Sequence, residues 1–129
     1  MTDRRNAALA LVLTAALMPA CTDAGASPRA ACEDAQAALC NRFYACFTPD
    51  ELVAAGLPSS EAACVTMFAD LAGCPAQTLD NVCPSNQTYH PDRATDCIDQ
   101  LGALTCSQVR DGSMIDANTP ACAAVCAIN

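Results

Sequence analysis

The sequence predicts an all-α fold: a small helical domain of two hairpins, stapled by disulfides and preceded by a signal peptide. Three observations predict it. Apolar residues and cysteines recur at three- and four-residue steps in several segments, the period of a helix with one buried face. No segment alternates apolar and polar residues for long enough to read as a strand. Eleven cysteines stand in 129 residues, and they follow a start that has the layout of an export signal.

That start sets the domain boundaries. Arg4 and Arg5 give a positive beginning, and Ala7 to Met18 then runs twelve residues with only Thr14 polar. As a helix such a run reaches about 18 Å, well short of the ~30 Å hydrocarbon core of a bilayer. Residues 1–20 therefore read as a signal peptide, 21–28 as a tether and 29–127 as a Cys-rich helical domain. Leu17-Met18-Pro19-Ala20-Cys21 resembles a bacterial lipobox, with Met18 at the place where that family usually has Leu. The resemblance implies cleavage before Cys21 and a lipid on its thiol, hence attachment to a membrane. It also implies outer-membrane sorting, from Thr22 following the acylated residue. The competing reading is ordinary cleavage after Ala24-Gly25-Ala26, an A-x-A-like site. Arg4-Arg5 hints at twin-arginine export, although no Phe-Leu pair follows.

Cysteine parity points the same way. Eleven is odd, and an oxidising compartment would leave one thiol unpaired. With Cys21 acylated or removed, ten remain: Cys32, Cys40, Cys46, Cys64, Cys74, Cys83, Cys97, Cys106, Cys122 and Cys126. Charge bounds the partners. Without residues 1–20 the chain keeps 13 acids against 4 arginines and has no lysine. A surface so negative opposes nucleic acid and anionic lipid headgroups.

The helices can be justified in order. Ser27 caps the first, with Pro28 in its first turn, where a missing N–H costs nothing. Cys32, Ala35, Leu39, Phe43 and Cys46 share one face, and Thr48-Pro49 ends the helix. Thr48-Pro49-Asp50-Glu51 is a capping-box pattern that starts a short helical turn through Ala55, stopped by Gly56. Ser59 or Ser60 caps the next helix, which places Cys64, Met67, Phe68 and Leu71 on one face and closes at Gly73 and Pro75. Thr78 to Cys83 reads as one more turn and Pro84 to His90 as a polar loop. Pro91 or Asp92 starts a helix with Ala94, Cys97, Ile98, Leu101 and Leu104 on its apolar face. Arg110 to Ser113 reads as a turn, and Thr119-Pro120 as the cap of a last helix carrying Cys122 and Cys126 one turn apart.

Alanine is abundant and the aromatics are five: Phe43, Tyr44, Phe47, Phe68 and Tyr89. Small side chains let helices approach closely but bury little area each, so cross-links are expected to supply stability that burial does not. Cysteines seven to nine residues apart on one helix lie roughly 10–15 Å apart, beyond disulfide reach. The partners must therefore sit across helix pairs. Positions equidistant from the turn of an antiparallel hairpin face each other, which suggests Cys46–Cys64, Cys40–Cys74 and Cys32–Cys83 in a hairpin over 28–84. The same rule suggests Cys106–Cys122 and Cys97–Cys126 in a second hairpin over 91–127.

Catalytic signals are sparse. His90 is the single histidine, and no nucleophile motif accompanies it. G-x-S-x-G, glycine-rich phosphate loops, H-E-x-x-H and C-x-x-C are absent. Cys122-x3-Cys126 has zinc-like spacing but no second pair to match it. No metal or other cofactor is expected. Asn86-Gln87-Thr88 matches the N-glycosylation pattern and would matter only in a eukaryotic source.

The run from Cys32-x7-Cys40-x5-Cys46 through Leu104-Thr105-Cys106 to Cys122-x3-Cys126 resembles small Cys-rich exported lipoproteins of the myxobacterial type. The resemblance implies export and carries over no site residues. The expected function is a non-enzymatic, lipid-anchored cell-envelope protein with a structural or protein-binding role, located in the outer membrane or periplasm. Its partners would be the membrane, through the N-terminal lipid, and a protein. The first alternative is a secreted inhibitor or effector that presents the loops at 47–60 and 84–92 to a foreign protein. The second is a small hydrolase or lipid-binding module, which would need a deep apolar pocket lined by Phe43, Phe47 and Phe68 with His90 nearby.

Overall fold

The Ser27 hydroxyl accepts a hydrogen bond from the Ala30 N–H and opens the first helix, α1 (Pro28–Cys46). The computed structural model describes residues 26–128, so the signal peptide, the lipobox and Cys21 lie outside the described residues. Seven helices follow one another: α1, α2 (Pro49–Ala54), α3 (Glu61–Leu71), α4 (Pro91–Gly102), α5 (Cys106–Arg110), α6 (Ser113–Asn118) and α7 (Pro120–Ala123). A 3₁₀ turn over Cys74–Ala76 follows α3. Two short strands, β1 (Thr88–Tyr89) and β2 (Cys126–Ala127), pair antiparallel, Thr88 opposite Ala127 and Tyr89 opposite Cys126. The chain is thus a small helical domain held by five disulfides, as expected. Among the described residues no helix is long and apolar enough to cross a membrane.

The layout is up, down, up. Cys40 is bonded to Cys64, Cys32 to Cys74, and the Asn41 amide donates to Glu61 Oε1 at 3.2 Å, so α3 runs antiparallel to α1. The Tyr89 hydroxyl donates to the Ala26 carbonyl at 2.8 Å and Cys46 is bonded to Cys106, so α4 runs parallel to α1. The alanines at 31, 35 and 38 on α1 and Ala94 on α4 permit this close approach. The core lies between them: Leu101, Leu104, Val109 and Ala121 are buried with Cys46 and Cys97, and Leu39, Phe43, Phe47 and Val125 pack against the cluster.

All ten cysteines from Cys32 onward are paired, as parity required, and no bond lies within one helix. The pairs are Cys32–Cys74, Cys40–Cys64, Cys46–Cys106, Cys83–Cys126 and Cys97–Cys122, with Cα atoms 4.6–6.0 Å apart. None of the five expected partners is correct. Cys46–Cys64 and Cys40–Cys74 fail because α2 occupies the end of the hairpin, so the start of α3 stands level with Asn41 and Cys64 meets Cys40. Cys32–Cys83 fails because the 3₁₀ turn already brings Cys74 to Cys32, while Cys83 lies beside the last strand. Cys106–Cys122 and Cys97–Cys126 fail because the two hairpins share one core. The parallel α4 delivers Cys106 to the end of α1, leaving Cys97 to meet Cys122 on α7.

The C-terminal third departs from the expected helices. The segment after Leu104 forms α5, α6 and α7 in place of a turn and one final helix. Cys126 lies on β2 rather than one helical turn from Cys122. The polar loop before α4 contains β1, and the His90 N–H extends the pairing by donating to the Val125 carbonyl at 2.8 Å. Residues 78–83 make hydrogen-bonded turns without a helix: Val82 N–H donates to the Thr78 carbonyl at 3.0 Å, and Asn81 Oδ1 accepts from the Thr78 N–H at 2.7 Å.

Candidate functional site

Helix α2 is six residues long, too short to be stable alone, and both its ends are fixed. At its start the capping box closes: Thr48 Oγ1 accepts from the Glu51 N–H at 3.3 Å, and Glu51 Oε2 accepts from the Thr48 N–H at 2.7 Å. At its end Gly56, with φ of 75°, takes the left-handed position. The Leu57 N–H then donates to the Leu52 carbonyl and the Gly56 N–H to the Val53 carbonyl, a Schellman closure. The returning chain is tied to α1 by the Tyr44 hydroxyl, which donates to the Pro58 carbonyl.

A cation locks this assembly from the other side. Arg110, at the end of α5, makes a two-pronged pair with Glu51, with Nη1 to Oε1 at 2.9 Å and Nη2 to Oε2 at 3.1 Å. The same Nη2 donates to the Cys46 carbonyl. The guanidinium lies over the Phe47 ring. Hydrogen bonding from Arg110, and then from the Thr48 backbone, lowers the Glu51 carboxyl to about 2. The Arg110 guanidinium is raised by the same pair.

Two apolar grooves flank α2. One, of about 230 Å³, is lined by Tyr44, Phe47, Leu52, Val53 and Pro58; the other, of about 240 Å³, by Phe43, Phe47, Leu52, Leu57 and Phe68. Leu52 is buried between them, whereas Val53 is 70% exposed. Phe43 meets Phe68 edge-on with ring centroids 6.1 Å apart, and stands 6.1 Å from Phe47. Asp50 and Glu61 are exposed along the same stretch of chain, while Glu51 is paired with Arg110, so the surface is apolar with two carboxylates at its border that meet no cation among the described residues. An arrangement of this kind suits docking of an apolar side chain carried on a cationic surface.

The three phenylalanines do come together, but His90 is not with them. It precedes α4 beside Tyr89, whose hydroxyl reaches Ala26 ahead of α1, while Phe43 is fifteen residues along α1, roughly 22 Å of helix. The His90 side chain makes no cap hydrogen bond, and its Nε2 is buried without a partner. A further cleft of about 230 Å³ lies at that end of the molecule, lined by Ala31, Ala35, Val82, Tyr89, Ala94 and Val125 together with several cystine residues. Burial there raises the Tyr89 phenol above its ordinary range.

Cys122 and Cys126, the pair with zinc-like spacing, belong to two different disulfides. Among the described residues no three His, Cys, Asp or Glu side chains are grouped to hold a metal ion. Of the two loops expected to present contacts, 47–60 forms the α2 surface and 84–92 carries β1. Arg110 had no local signal, because its partner Glu51 is 59 residues away; Arg42 has Cys46 one turn along α1, but its second partner, Cys106, is 64 residues away. No protein-family model, curated protein or solved structure matches the chain.

Proposed function

We propose that this chain is a non-enzymatic, lipid-anchored protein of the cell envelope that binds a protein partner through the apolar surface around α2. The observation that carries the reading is an apolar surface held rigid in an exposed place: Val53 is 70% exposed, yet the turn that bears it is closed at both ends and braced by Arg110. Val53 differs from an apolar residue exposed singly because it lines a groove with Tyr44, Phe47, Leu52 and Pro58. The partner is a protein with an apolar side chain for the grooves and basic residues for the acidic border, since 13 acids face 4 arginines beyond residue 20. Five disulfides are compatible with a compartment outside the reducing cytoplasm, and the lipobox-like segment at Cys21 supports anchoring.

Paired pull-downs from envelope fractions test the binding claim, using the mature protein and its Val53→Asp variant. The reading expects a partner recovered repeatedly by the first and lost with the second. Repeated recovery of nothing, or equal recovery by both, contradicts it. Incorporation of labelled palmitate at Cys21 tests the anchor. Release of unacylated protein into the medium favours instead a secreted inhibitor or effector that uses the same surface.

A further inference from the structure

Arg42 lies one helical turn before Cys46, and its guanidinium rests against the Cys46–Cys106 disulfide. Nη2 is 3.4 Å from Cys46 Sγ and 3.8 Å from Cys106 Sγ. The other three described arginines each meet a carboxylate: Arg29 meets Glu33, Arg93 meets Asp92 and Asp96, and Arg110 meets Glu51. Arg42 meets none, and its Nε is buried without a hydrogen-bond partner. Disulfide sulfur is a weak acceptor, so in the oxidised protein this cation is poorly matched. A thiolate in the same place would satisfy it.

We propose that Cys46–Cys106 is a thiol–disulfide exchange site, opened by an external dithiol and activated by Arg42. The dithiol's thiolate bonds to the Sγ of Cys106, the more exposed of the two residues. The Cys46–Cys106 bond breaks, and its electron pair stays on Cys46 as a thiolate beside Arg42. The second thiolate of the reductant then attacks its own sulfur in the mixed disulfide and expels Cys106 as a thiolate. The reductant leaves as a cyclic disulfide, two electrons have passed to the protein, and the cysteines take up protons from water. This bond joins α1 to α5 and closes the longest separation of the five, 60 residues. Opening it releases the helix that carries Arg110, the brace of α2.

Cys97–Cys122 is a matched control. Cys97 is 7% exposed and Cys46 8%, each has a half-buried partner, and the hydrogen bonds and ion pairs of the four described arginines go to neither control sulfur. The test treats the folded mature protein with limiting dithiothreitol, alkylates freed thiols and reads each site by peptide mass spectrometry. Cys46 and Cys106 are expected to label at least roughly threefold faster than Cys97 and Cys122. Arg42→Met is expected to slow labelling at that bond roughly fivefold, leave Cys83–Cys126 unchanged, and be rescued by Arg42→Lys. An arginine that merely packs would give the opposite sign, because its loss would loosen the bond and hasten opening. Equal rates at the two matched bonds in the unsubstituted protein overturn the proposal, whether or not the variant folds. So does an Arg42→Met rate at or above the original, or a slowing shared by Cys83–Cys126.

Discussion

The Arg110 guanidinium carbon stands 4.8 Å from the centroid of the Phe47 ring. Phe47 is the residue that ends α1, and Arg110 is the last residue of α5, so this one contact joins the two halves of the chain at the point where α2 begins. The Glu51 carboxylate holds the guanidinium over the ring by engaging two of its nitrogens.

Lysine cannot reproduce that geometry, because an ammonium offers no planar fork. Arg110→Lys and Arg110→Met are both expected to lower the thermal unfolding midpoint, methionine more. Combining Arg110→Met with Glu51→Gln is expected to cost less than the two changes summed, since each removes the same pair. The pair is solvent-facing, with side chains 45% and 43% exposed, so the effect should shrink in high salt. Thermal scans of the original protein, Arg110→Lys, Arg110→Met, Glu51→Gln and the double variant at low and high salt check this.

Acid should undo the same contact. The folded Glu51 carboxyl is lowered to about 2 by its hydrogen bonds from Arg110 and Thr48, against about 4.3 for a free glutamate. A lowered folded value means that the stabilisation is complete above about pH 5 and is lost as pH falls from there toward 2. Denaturant midpoints of the original and Glu51→Gln proteins should therefore differ at pH 7 and converge as pH approaches 2. A gap that stays constant over that range would mean that ionisation of Glu51 contributes nothing.

Two leucines separate burial from exposure. Leu104 is 2% exposed in the shared core, whereas Leu71 is 78% exposed at the end of α3. Leu104→Ala is expected to destabilise by about 2–4 kcal/mol, and Leu71→Ala to stay within about 0.5 kcal/mol of the original. Urea unfolding with the disulfides intact measures both.

Thr105 closes a second capping box: its hydroxyl accepts from the Gln108 N–H at 3.2 Å, while Gln108 Oε1 accepts from the Thr105 N–H at 2.8 Å. Thr105→Ala should cost about 1 kcal/mol, and Thr48→Ala a similar amount for α2. Equilibrium unfolding of the two single variants checks both values.

That second box marks where the sequence was legible and where it was not. Local chemistry was readable: Ser27-Pro28, Thr48-x-x-Glu51 and the two glycines at positive φ, Gly56 and Gly73, all act at the boundaries that their residue types imply. Thr105-x-x-Gln108 carries the same signal for α5, masked by the apolar run that ends at Leu104 directly before it. Disulfide partners were not readable, because sequence spacing relates facing positions only within a hairpin, and three of the five bonds join segments that are not paired in one. Cys46–Cys106 depends on α4 lying parallel to α1, a choice made by alanine-lined faces far apart in the chain. The α2 surface was half legible. The three phenylalanines converge as their helical spacing allowed, while the brace by Arg110 and the distance of His90 arise only from the shared core.

The framework itself is the central claim: covalent links from α1 to the 3₁₀ turn, to α3 and to α5 set the end of α1 and hold α2 where its apolar side chains face water. Peptide mapping of the non-reduced mature protein tests it most directly. The account predicts five linked peptide pairs, joining Cys32 to Cys74, Cys40 to Cys64, Cys46 to Cys106, Cys83 to Cys126 and Cys97 to Cys122, with no free thiol among the ten. Recovery of Cys46 linked to Cys64, of Cys106 linked to Cys122, or of either cysteine reduced would contradict it.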